Sequence, residues 1–393
     1  MSILVVHPGT QHAHHLVAGL LAKGRDVEYS TVLSFGTNSR WESVLPKSTY
    51  SKRALRNIPD RIIDRHPMLE AIPGVLQRLG VSAPHAYRVR NNMFQTRIGL
   101  RKIRSSSAII GFDTSSLIVE RKAVKENVPF FLELTQVHPL EKRKWSDFLG
   151  ENYPQWPQTL LEKPADLIAE ENEELALATI VSAPGQFVKQ AYQNYSKTKN
   201  EIVINPFGAD LVSFKPKTSY KKKRPTFVFM GQITPIKGVP VLLDAWKLAK
   251  PDAELVIGGP GELPRGVEVP EGVRLAGRIA KDERENFLHT GDIFLCPSLY
   301  EGLAIVQLEA AACGLPVIGT HNSGGSEFLR DGQEGFFVEP GNVTALAEKI
   351  SYFAQRPDEC ERMGRGAAVR AGDYTWDAYV TRWLAIIDKY TVK

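Results

Sequence analysis

Two glutamates eight residues apart form the clearest chemical pattern in the sequence. Glu301 lies in a small-residue turn after a buried apolar run, and Glu309 lies about one turn inside the helix that follows. The first turn of a helix presents free N–H groups and a positive dipole end, which favour an anion. Carboxylates do not bind phosphate, so the pair is expected to accept hydrogen bonds from hydroxyl groups beside it. An N-cap acid followed by a solvent-facing glutamate would have the same spacing.

The elements that must position these residues are strands and helices in alternation. Buried β-branched runs separated by helices are typical of parallel sheets built from β-α-β units. The expected strands are 3–7, 27–31, 108–111, 130–135, 179–182 and 202–205 in the first half, and 226–230, 254–257, 273–275, 293–296, 317–319 and 335–338 in the second. Residues 47–104 lack clear strands and are expected to be helices and loops.

The chain is long enough for two domains, because 393 residues exceed one ordinary core. A polar stretch at 215–225 interrupts the apolar pattern and is expected to be an interdomain linker. We assign 1–206 and 225–375 to two Rossmann-like domains of an α/β protein, 207–224 to the linker and 376–393 to a C-terminal helix. Two doubly wound domains that face each other bring the carboxyl ends of both sheets to one cleft.

The composition, 43% hydrophobic and 24% charged, is that of a folded globular protein. No apolar run reaches the roughly 20 residues that span a bilayer, and the first residues resemble a buried strand more than a signal peptide. Cys296, Cys313 and Cys360 lack metal-ligand spacing and fit buried thiols in a reducing compartment. We therefore expect a cytoplasmic protein.

The residues around the two glutamates resemble a family signature. The Glu-x7-Glu spacing is followed by Ala-Cys-Gly-Leu-Pro-Val-Ile at 312–318, Ser-Gly-Gly-Ser-Glu at 323–327 and Gly-Phe-Phe-Val-Glu-Pro at 335–340. Over nearly all of the second domain, these motifs resemble the retaining GT-B glycosyltransferases of family 4, the glycosyl transferases group 1. The resemblance implies a GT-B fold whose C-terminal helix crosses back to the first domain. It also implies transfer of a hexose from a nucleotide sugar.

The resemblance assigns the donor site to the second domain. Glu309 is implied to bind the ribose hydroxyls of the donor. Glu301 and the N–H groups of Gly302, Leu303 and Ala304 are implied to hold the hexose and the diphosphate. Ionised carboxylates suit hydroxyl ligands, because they only accept hydrogen bonds.

The stretch from Gly231 to Gly238 resembles the phosphate loop of the family. Lys237 falls where a cation neutralises the diphosphate, and a cation there stabilises the charge that develops on the leaving phosphate. Gln232 stands where many members have an arginine. The usual pair of cations is therefore incomplete, and an arginine from elsewhere would have to substitute.

Two further turns complete the implied donor site. Gly259 lies in a Gly-Gly-Pro-Gly turn after a strand, where tight backbone geometry alone also favours glycine. Arg278 and Ile279 resemble the place where family members hold the nucleobase through backbone groups. Because backbone contacts leave no side-chain signature, both UDP-sugars and GDP-sugars fit.

The acceptor side is implied to lie in the first domain. The turn after the first strand resembles the acceptor-side loop of the family and comprises Gly9, Thr10, Gln11 and His12. His138, after the strand at 130–135, resembles a histidine that holds a hydroxyl of the donor sugar. We predict His138, Lys237 and Glu301 as the catalytic group, with Asp113 at another strand end as a secondary candidate.

We predict catalysis without a metal ion and without a cofactor. No Asp-x-Asp motif follows a strand to bridge a divalent ion to a diphosphate. His12, His14 and His15 do not converge on one ion from neighbouring helical positions, and no acidic or cysteine ligand accompanies them. The mechanism implied by the resemblance is front-face: the leaving phosphate oxygen deprotonates the acceptor hydroxyl through an oxocarbenium-like state.

Positive charge is concentrated between Lys47 and Arg104. This segment has 13 basic and 3 acidic residues, a net charge of +10 against +5 for the whole chain. Apolar residues are interleaved with the basic ones at helical spacing, as in membrane-surface helices. We predict peripheral contact with the anionic inner face of the cell membrane, and a glycan or lipid-linked acceptor in cell-envelope polysaccharide synthesis. A buried core with a solvated basic rim, or a polyanionic soluble acceptor, fits the same pattern.

Other functions make different demands on the sequence. A sugar-nucleotide epimerase of the same shape would turn over without an acceptor. An inactive donor-binding subunit would be expected to lack Glu301, Glu309 or Lys237, and all three are present. A nicotinamide-dependent dehydrogenase would need Gly-x-Gly-x-x-Gly after a strand, which the sequence lacks. We expect no nucleic-acid partner.

Overall fold

The computed structural model describes residues 2–9, 11–44, 47–51, 53–157, 162–220 and 223–391. Thr10 of the predicted acceptor-side loop, Lys52 of the basic segment, and Lys221 and Lys222 of the predicted linker lie outside these ranges. Within the ranges the chain forms two large parallel sheets, one in each domain, and one small pair of strands.

The helices and strands alternate along most of the chain. The strands are β1 Ser2–Val6, β2 Val27–Thr31, β3 Phe35–Thr37, β4 Ala54–Pro59, β5 Ile63–Arg65, β6 Ser106–Phe112, β7 Phe130–Glu133, β8 Ile180–Ala183, β9 Ile202–Ile204, β10 Thr226–Met230, β11 Glu254–Gly258, β12 Val273–Gly277, β13 Ile293–Cys296, β14 Val317–Thr320 and β15 Gly335–Val338. The α-helices are α1 Ala13–Ala22, α2 Lys47–Ser51, α3 Ile72–Arg78, α4 Ala83–Arg97, α5 Leu100–Ser105, α6 Leu117–Lys125, α7 Pro139–Asn152, α8 Ala165–Leu177, α9 Gln186–Ser196, α10 Val239–Ala249, α11 Arg284–His289, α12 Ile305–Ala312, α13 Val343–Gln355, α14 Pro357–Ala371 and α15 Trp376–Thr391.

The first sheet has the strand order β5-β2-β1-β6-β7-β8-β9, and its described pairings are parallel. β1 lies between β2 and β6, where Val5 pairs with Tyr29 on one side and Ile110 on the other. Val5 packs into one core cluster and Leu4 into another. Both faces of β1 are therefore buried, which explains why this strand is apolar from Ile3 to Val6.

The expectation that residues 47–104 lack strands is wrong. β5 pairs with β2 and forms one edge of the first sheet, and β4 pairs with β3 in a separate two-stranded sheet. β5 is only three residues long and carries Asp64 and Arg65, so its apolar signal is weak, as is common for edge strands. Lys102 Nζ donates to Asp64 Oδ2 at 2.7 Å and neutralises part of that edge.

The second sheet has the strand order β12-β11-β10-β13-β14-β15. Numbered within the domain, this is the 3-2-1-4-5-6 order of a doubly wound dinucleotide-binding sheet. The order reverses between β10 and β13, whose carboxyl ends lead into the loop at 231–238 and the turn at 297–304. In sheets of this kind ligands bind in the crevice at that reversal.

Two helices connect the domains. α15 returns to the first domain, as the resemblance implied: a Cβ on Gly19 of α1 would lie 2.4 Å from a methyl group of Val380, and Tyr379 Oη donates to Glu133 at 2.7 Å. α7 follows β7 of the first sheet, yet Trp145 on this helix packs into the core cluster of the second domain. These contacts fix the two sides of the cleft relative to each other.

The three cysteines are free thiols buried in the second domain, as predicted. Burial raises the pKa of Cys296, Cys313 and Cys360 to about 12. These thiols therefore stay protonated near neutral pH and pack as small apolar groups.

Candidate active site

A cavity of about 560 Å³ lies between the two domains. Turns from both sheets line it, because the carboxyl ends of the two sheets face each other. Its lining consists of Gln11, His12, His15, Thr135, Gln136, Val137 and Lys142 from the first domain, Phe207 from the start of the linker, Ile236, Lys237, Tyr300, Glu301, Gly302, Leu303 and Ile305 from the second domain, and Trp376 from α15. The cavity thus brings together predicted acceptor-side and donor-side residues.

The loop after β10 is held by close backbone approaches that require glycine. A Cβ on Gly238 would lie 1.9 Å from the carbonyl oxygen of Pro297, and the φ of Gly238 is +74°. A Cβ on Gly259 would lie 1.7 Å from the carbonyl oxygen of Gly231. These contacts join the loop to the turns after β11 and β13, and they fix the backbone that carries Lys237.

Lys237 and Glu301 form an ion pair in the wall of the cavity. Ser298 Oγ donates to Glu301 Oε1 at 3.0 Å, and the N–H of Glu301 donates to the carbonyl oxygen of Asn322 at 3.0 Å. The carboxylate and its turn are therefore both held in place. A phosphate that binds Lys237 would have to share the ammonium with Glu301 or displace it.

Gly302 contacts the opposite domain, since a Cβ there would lie 2.4 Å from the carbonyl oxygen of Thr135. The N–H groups of Gly302 and Leu303 have no acceptor among the described residues, whereas the N–H of Ala304 donates to the carbonyl oxygen of Ser323 at 3.1 Å. Both residues with free N–H groups line the cavity just before α12. Two of the three predicted backbone donors are therefore available to an anion.

Glu309 lies one turn inside α12 and pairs with Arg284 at the start of α11. Arg284 Nη1 donates to Glu309 Oε1 at 2.9 Å. Arg284 Nη2 is 2.9 Å from Glu309 Oε2 without hydrogen-bond geometry, so this buried oxygen has no donor among the described residues. Burial raises the pKa of Glu309 to about 7, against the opposing effect of Arg284. A buried carboxylate with one open acceptor atom suits a hydroxyl ligand.

Glu309 does not line the cavity, and neither do Gln232, Arg278 and Ile279. Gln232 and Arg278 are exposed, at the carboxyl ends of β10 and β12. Ile279 is half-buried, and its Cγ1 would lie 2.9 Å from a Cβ on Gly258. Gln232 belongs to the phosphate loop, whereas Arg278 and Ile279 follow β12 at the edge of the second sheet.

Only part of the predicted acceptor-side loop lines the cavity. Gln11 and His12 line the cavity. Gly9 lies behind them, where its N–H donates to His7 Nδ1 at 3.0 Å. His12 Nε2 lies 3.1 Å from Glu133 Oε1 at the end of β7, so a carboxylate lies within ion-pair distance of the imidazole.

The structure does not bring His138 and Asp113 into the cavity. His138 is fully buried and caps α7: the N–H of Leu140 donates to Nδ1 at 3.2 Å, which assigns the ring proton to Nε2, 3.3 Å from Asn172 Oδ1. Burial lowers the pKa of His138 to about 4. Asp113 accepts from the hydroxyl and the N–H of Thr135 at 2.6 and 3.1 Å. Contrary to the sequence expectation, no ring nitrogen of His138 is left for a sugar hydroxyl.

Several charged or aromatic residues of the cavity were not predicted as site residues, among them Lys142 and Trp376. Lys142 lies in the first turn of α7, where Nζ donates to Gln136 Oε1 at 2.5 Å. Its position one helical turn after a predicted strand-end residue was the available signal. Trp376 begins α15 and stacks on His15, with ring centroids 4.1 Å apart and an interplanar angle of 4°. The implied return of this helix was the signal for Trp376.

Comparison with known proteins identifies the second domain. Residues 213–370 match the family described as Glycosyl transferases group 1. The second domain is similar to this family over that stretch, and we refer to it as the group 1 domain. The matched stretch contains Lys237, Glu301 and Glu309, and the match confirms the resemblance stated from the sequence.

Named relatives of the group 1 domain are glycosyltransferases. D-inositol 3-phosphate glycosyltransferase of Streptomyces scabiei (strain 87.22) is 26% identical over 55% of this chain and 55% of its own length. Alpha-maltose-1-phosphate synthase of Mycobacterium tuberculosis (strain ATCC 25618 / H37Rv) is 27% identical over 66% of this chain and 72% of its own length. The chain spans about half the length of the inositol phosphate glycosyltransferases that it matches.

Solved structures share the fold of both domains. Sucrose-phosphate synthase from Thermosynechococcus elongatus superposes with a TM-score of 0.68 at 17% identity, over 99% of this chain and 98% of its own. Anabaena HepE in complex with UDP and glucose superposes with a TM-score of 0.63 at 15% identity, over 99% and 100%. At these identities the likeness concerns the fold, and it confirms the predicted GT-B architecture around the group 1 domain.

His12, His14 and His15 of the first domain contact different groups. His12 faces Glu133, whereas His15 stacks on Trp376. The ring of His14 lies beside that of His15, with centroids 4.0 Å apart. Across the described parts of the chain, no three His, Cys, Asp or Glu side chains are grouped as metal ligands.

The basic segment is partly neutralised and partly buried. Of its described side chains, those paired with carboxylates include Arg53, Arg65, Arg88, Lys102 and Arg104. Its apolar side chains in the core include Leu55, Ile58, Ile63 and Leu69. Met68, Val75 and Leu79, in and beside α3, are 86%, 52% and 74% exposed. Among the described helices, none combines the length and apolar character that crossing a bilayer demands.

Proposed function

We propose that the chain is a retaining glycosyltransferase that transfers a hexose from a UDP-sugar or GDP-sugar to an acceptor in the cleft, without a metal ion or cofactor. The observation that carries this proposal is the interdomain cavity, where Lys237, Glu301 and two free N–H groups of a group 1 domain lie together. A cation and N–H groups suit phosphate, and carboxylates suit hydroxyls. A nucleotide sugar presents both kinds of group.

The donor would lie along the switch point of the second sheet. Glu309, with one acceptor atom open, would bind the ribose hydroxyls. The N–H groups of Gly302 and Leu303 would bind the diphosphate at the start of α12. Glu301 would accept hydrogen bonds from the hexose. HepE was solved with UDP and with UDP-glucose, which makes a uridine donor the first choice in a screen.

The proposed reaction takes place on one face of the donor sugar. The bond between the anomeric carbon and the phosphate oxygen breaks through an oxocarbenium-like state, and the acceptor oxygen bonds to the anomeric carbon from the same face. The proton of the acceptor hydroxyl passes to the leaving phosphate oxygen. Lys237 would stabilise the charge on that phosphate, an effect that typically changes the rate by about 10²–10³. Glu301 would position the sugar and would not act as a nucleophile.

The acceptor would bind against the first-domain wall. Gln11, His12 and Gln136 offer hydrogen-bonding groups there, which suit a hydroxyl-rich molecule. We propose a glycan or lipid-linked acceptor of envelope polysaccharide or glycoconjugate synthesis. Relatives named for inositol 3-phosphate and maltose 1-phosphate make small phosphorylated sugars and polyols the second class to test.

A contact with anionic membrane would involve the edge of α3. Met68, Val75 and Leu79 are exposed there, with the basic Arg78 between the last two in sequence. Exposed apolar side chains beside a cation suit the interface of an anionic bilayer. The remainder of the basic segment contributes less, because many of its cations already pair within the first domain.

Thermal stability in the presence of UDP-, GDP- and dTDP-sugars tests the donor proposal, with EDTA present throughout. A donor at 100 times its dissociation constant stabilises the folded protein by about 2.7 kcal/mol. Stabilisation by one nucleotide class supports the proposal, and none from any class contradicts it. A shift that requires added divalent ion would contradict metal independence. Turnover of the donor without any acceptor into an epimer would favour the epimerase.

A further inference from the structure

Lys142 is the cation in the cavity wall that lacks a carboxylate partner. The acidic and basic side chains in the lining, histidines aside, are Lys142, Lys237 and Glu301, and the last two form an ion pair. The amide oxygen of Gln136 accepts from Lys142 Nζ at 2.5 Å, but no described carboxylate lies within 4.0 Å of this ammonium. Buried and half-buried charges are normally paired, so we expect this ammonium to bind an anion that is not part of the protein.

The position of Lys142 is electrostatically unfavourable for a cation, and it is fixed by the packing of α7. It lies in the first turn of α7, beside the positive end of the helix dipole, where cations are disfavoured. Burial lowers the pKa of its ammonium. The helix is held at its start by the buried cap His138 and further along by Trp145, which packs in the core of the second domain. Folding alone therefore does not explain a lysine here.

Lys142 differs from the neighbouring cations in its contacts with carboxylates. Lys142 also lines a second cavity of about 190 Å³ inside the first domain. The other cations of that cavity are neutralised, because Lys163 pairs with Glu171, and Arg143 Nη2 is 2.9 Å from Glu162 Oε1. Lys142 lines both cavities and is attracted by the carboxylates of Glu171 and Asp113, but it is in direct contact with neither.

We propose that Lys142 binds a phosphoryl group of a substrate in the cleft and supplies, from the first domain, the second cation that the phosphate loop lacks at Gln232. This inference rests on the proposed function. The phosphoryl group belongs either to the donor diphosphate or to a phosphorylated acceptor, and the ammonium binds both through the same charged hydrogen bonds. The sequence expectation was an arginine in this role, whereas the structure presents a lysine from the opposite domain.

Isothermal titration with matched variants tests the proposal. Lys142→Met removes the charge and keeps the chain length, Lys142→Arg restores a cation, and Lys144→Met removes an exposed charge from the same helix as a control. Circular dichroism establishes that each variant is folded. The probes are UDP and GDP, the nucleosides uridine and guanosine, and inorganic phosphate added to protein saturated with the nucleoside diphosphate.

If the donor supplies the phosphoryl group, Lys142→Met weakens nucleoside diphosphate binding about tenfold or more and leaves nucleoside binding unchanged. If the acceptor supplies it, diphosphate binding is unchanged and inorganic phosphate no longer binds to Lys142→Met. In both cases Lys142→Arg retains most of the affinity and Lys144→Met behaves as the parent. Equal binding of every probe by Lys142→Met and the parent would overturn the inference alone. Failure of the parent to bind UDP or GDP would overturn the proposed function as well.

Discussion

Glu301 Oε1 accepts hydrogen bonds from the ammonium of Lys237 and, at 3.0 Å, from the hydroxyl of Ser298. Lys237 and Glu301, which are both proposed to contact the donor, therefore neutralise each other when the cleft is empty. An ion pair of this kind avoids an unpaired charge at the wall of the cavity. A donor diphosphate would compete with Glu301 for Lys237, and the released carboxylate would be free to accept from the sugar.

Replacement of Lys237 by alanine should lower turnover by about 10²–10³ and weaken donor binding less, because the phosphate charge grows in the transition state. Lys237→Arg should retain part of the activity. Single-turnover rates at saturating donor separate chemistry from binding. Lys247→Ala, which removes an exposed lysine from α10, is the matched control. A folded Lys237→Ala enzyme with the parent rate would remove Lys237 from the site.

Replacement of Glu309 by glutamine should weaken donor binding about tenfold, since a charged hydrogen bond contributes roughly 1.5–3 kcal/mol. Titration of the donor that stabilises the parent measures this loss. Glu348→Gln, on the exposed face of α13, is the control for loss of one acidic charge. Unchanged donor affinity in Glu309→Gln would rule out the ribose contact.

The same variant has a pH signature without ligand. Burial raises the pKa of Glu309 from 4.5 to about 7 in the folded chain, so between these values the folded state holds a proton that the unfolded state releases. The folded state therefore loses stability as pH rises through this window, by about 1.4 kcal/mol per pKa unit at most. Glu309→Gln should melt at a higher temperature than the parent at pH 8 and similarly at pH 4.5. If Glu309→Gln and the parent differed in melting temperature by the same amount at pH 4.5 and at pH 8, a raised pKa of Glu309 would be contradicted.

How far the sequence predicts the structure depends on how local each signal is. The buried strands β10, β13 and β15 were predicted at their observed bounds, because a run buried on both faces is apolar throughout. Lys237, Glu301 and Gly302 were predicted because loop and signature motifs lie within short stretches. Lys142 has only a weak local signal, its position one helical turn after a strand end, because its place in the cavity depends on packing between the domains. The orientation of His138 likewise depends on Asn172, 34 residues away.

Replacement of Gly302 by alanine should reduce turnover at least tenfold and leave the fold intact. The added Cβ would lie 2.4 Å from the carbonyl oxygen of Thr135, so the turn or the opposite domain must shift. A shift of about 1 Å at a reacting centre costs on the order of 10²-fold in rate. Gly74→Ala in α3 is the control, because nothing lies within 4 Å of its added Cβ. Parent-like turnover by Gly302→Ala would contradict a cleft closed at this contact.

Substitution of Leu79 or Met68 by glutamate should reduce co-sedimentation with anionic vesicles. The change removes an exposed apolar contact and adds a like charge, and each basic residue near such a surface contributes about 1 kcal/mol. Binding of the parent should be strong at low salt and weak at high salt. Val369→Glu alters an equally exposed apolar side chain in the second domain and should have no effect. A parent that stays in the supernatant with anionic vesicles at low salt contradicts the membrane contact and favours a soluble acceptor.

Acceptor-dependent release of nucleotide tests whether the interdomain cleft is a glycosyltransferase active site. The parent and Lys237→Ala are incubated with the stabilising nucleotide sugar, in EDTA, with and without glycan, lipid-linked and phosphorylated acceptors, and the anomeric configuration of the product is read by NMR. We expect nucleotide release that rises with one acceptor class, retention of the donor configuration, and loss of release in Lys237→Ala. Inversion of configuration would contradict the front-face mechanism. Release that is absent with every donor and acceptor, or equal in the parent and Lys237→Ala, would contradict the assignment of this cleft as a glycosyltransferase active site.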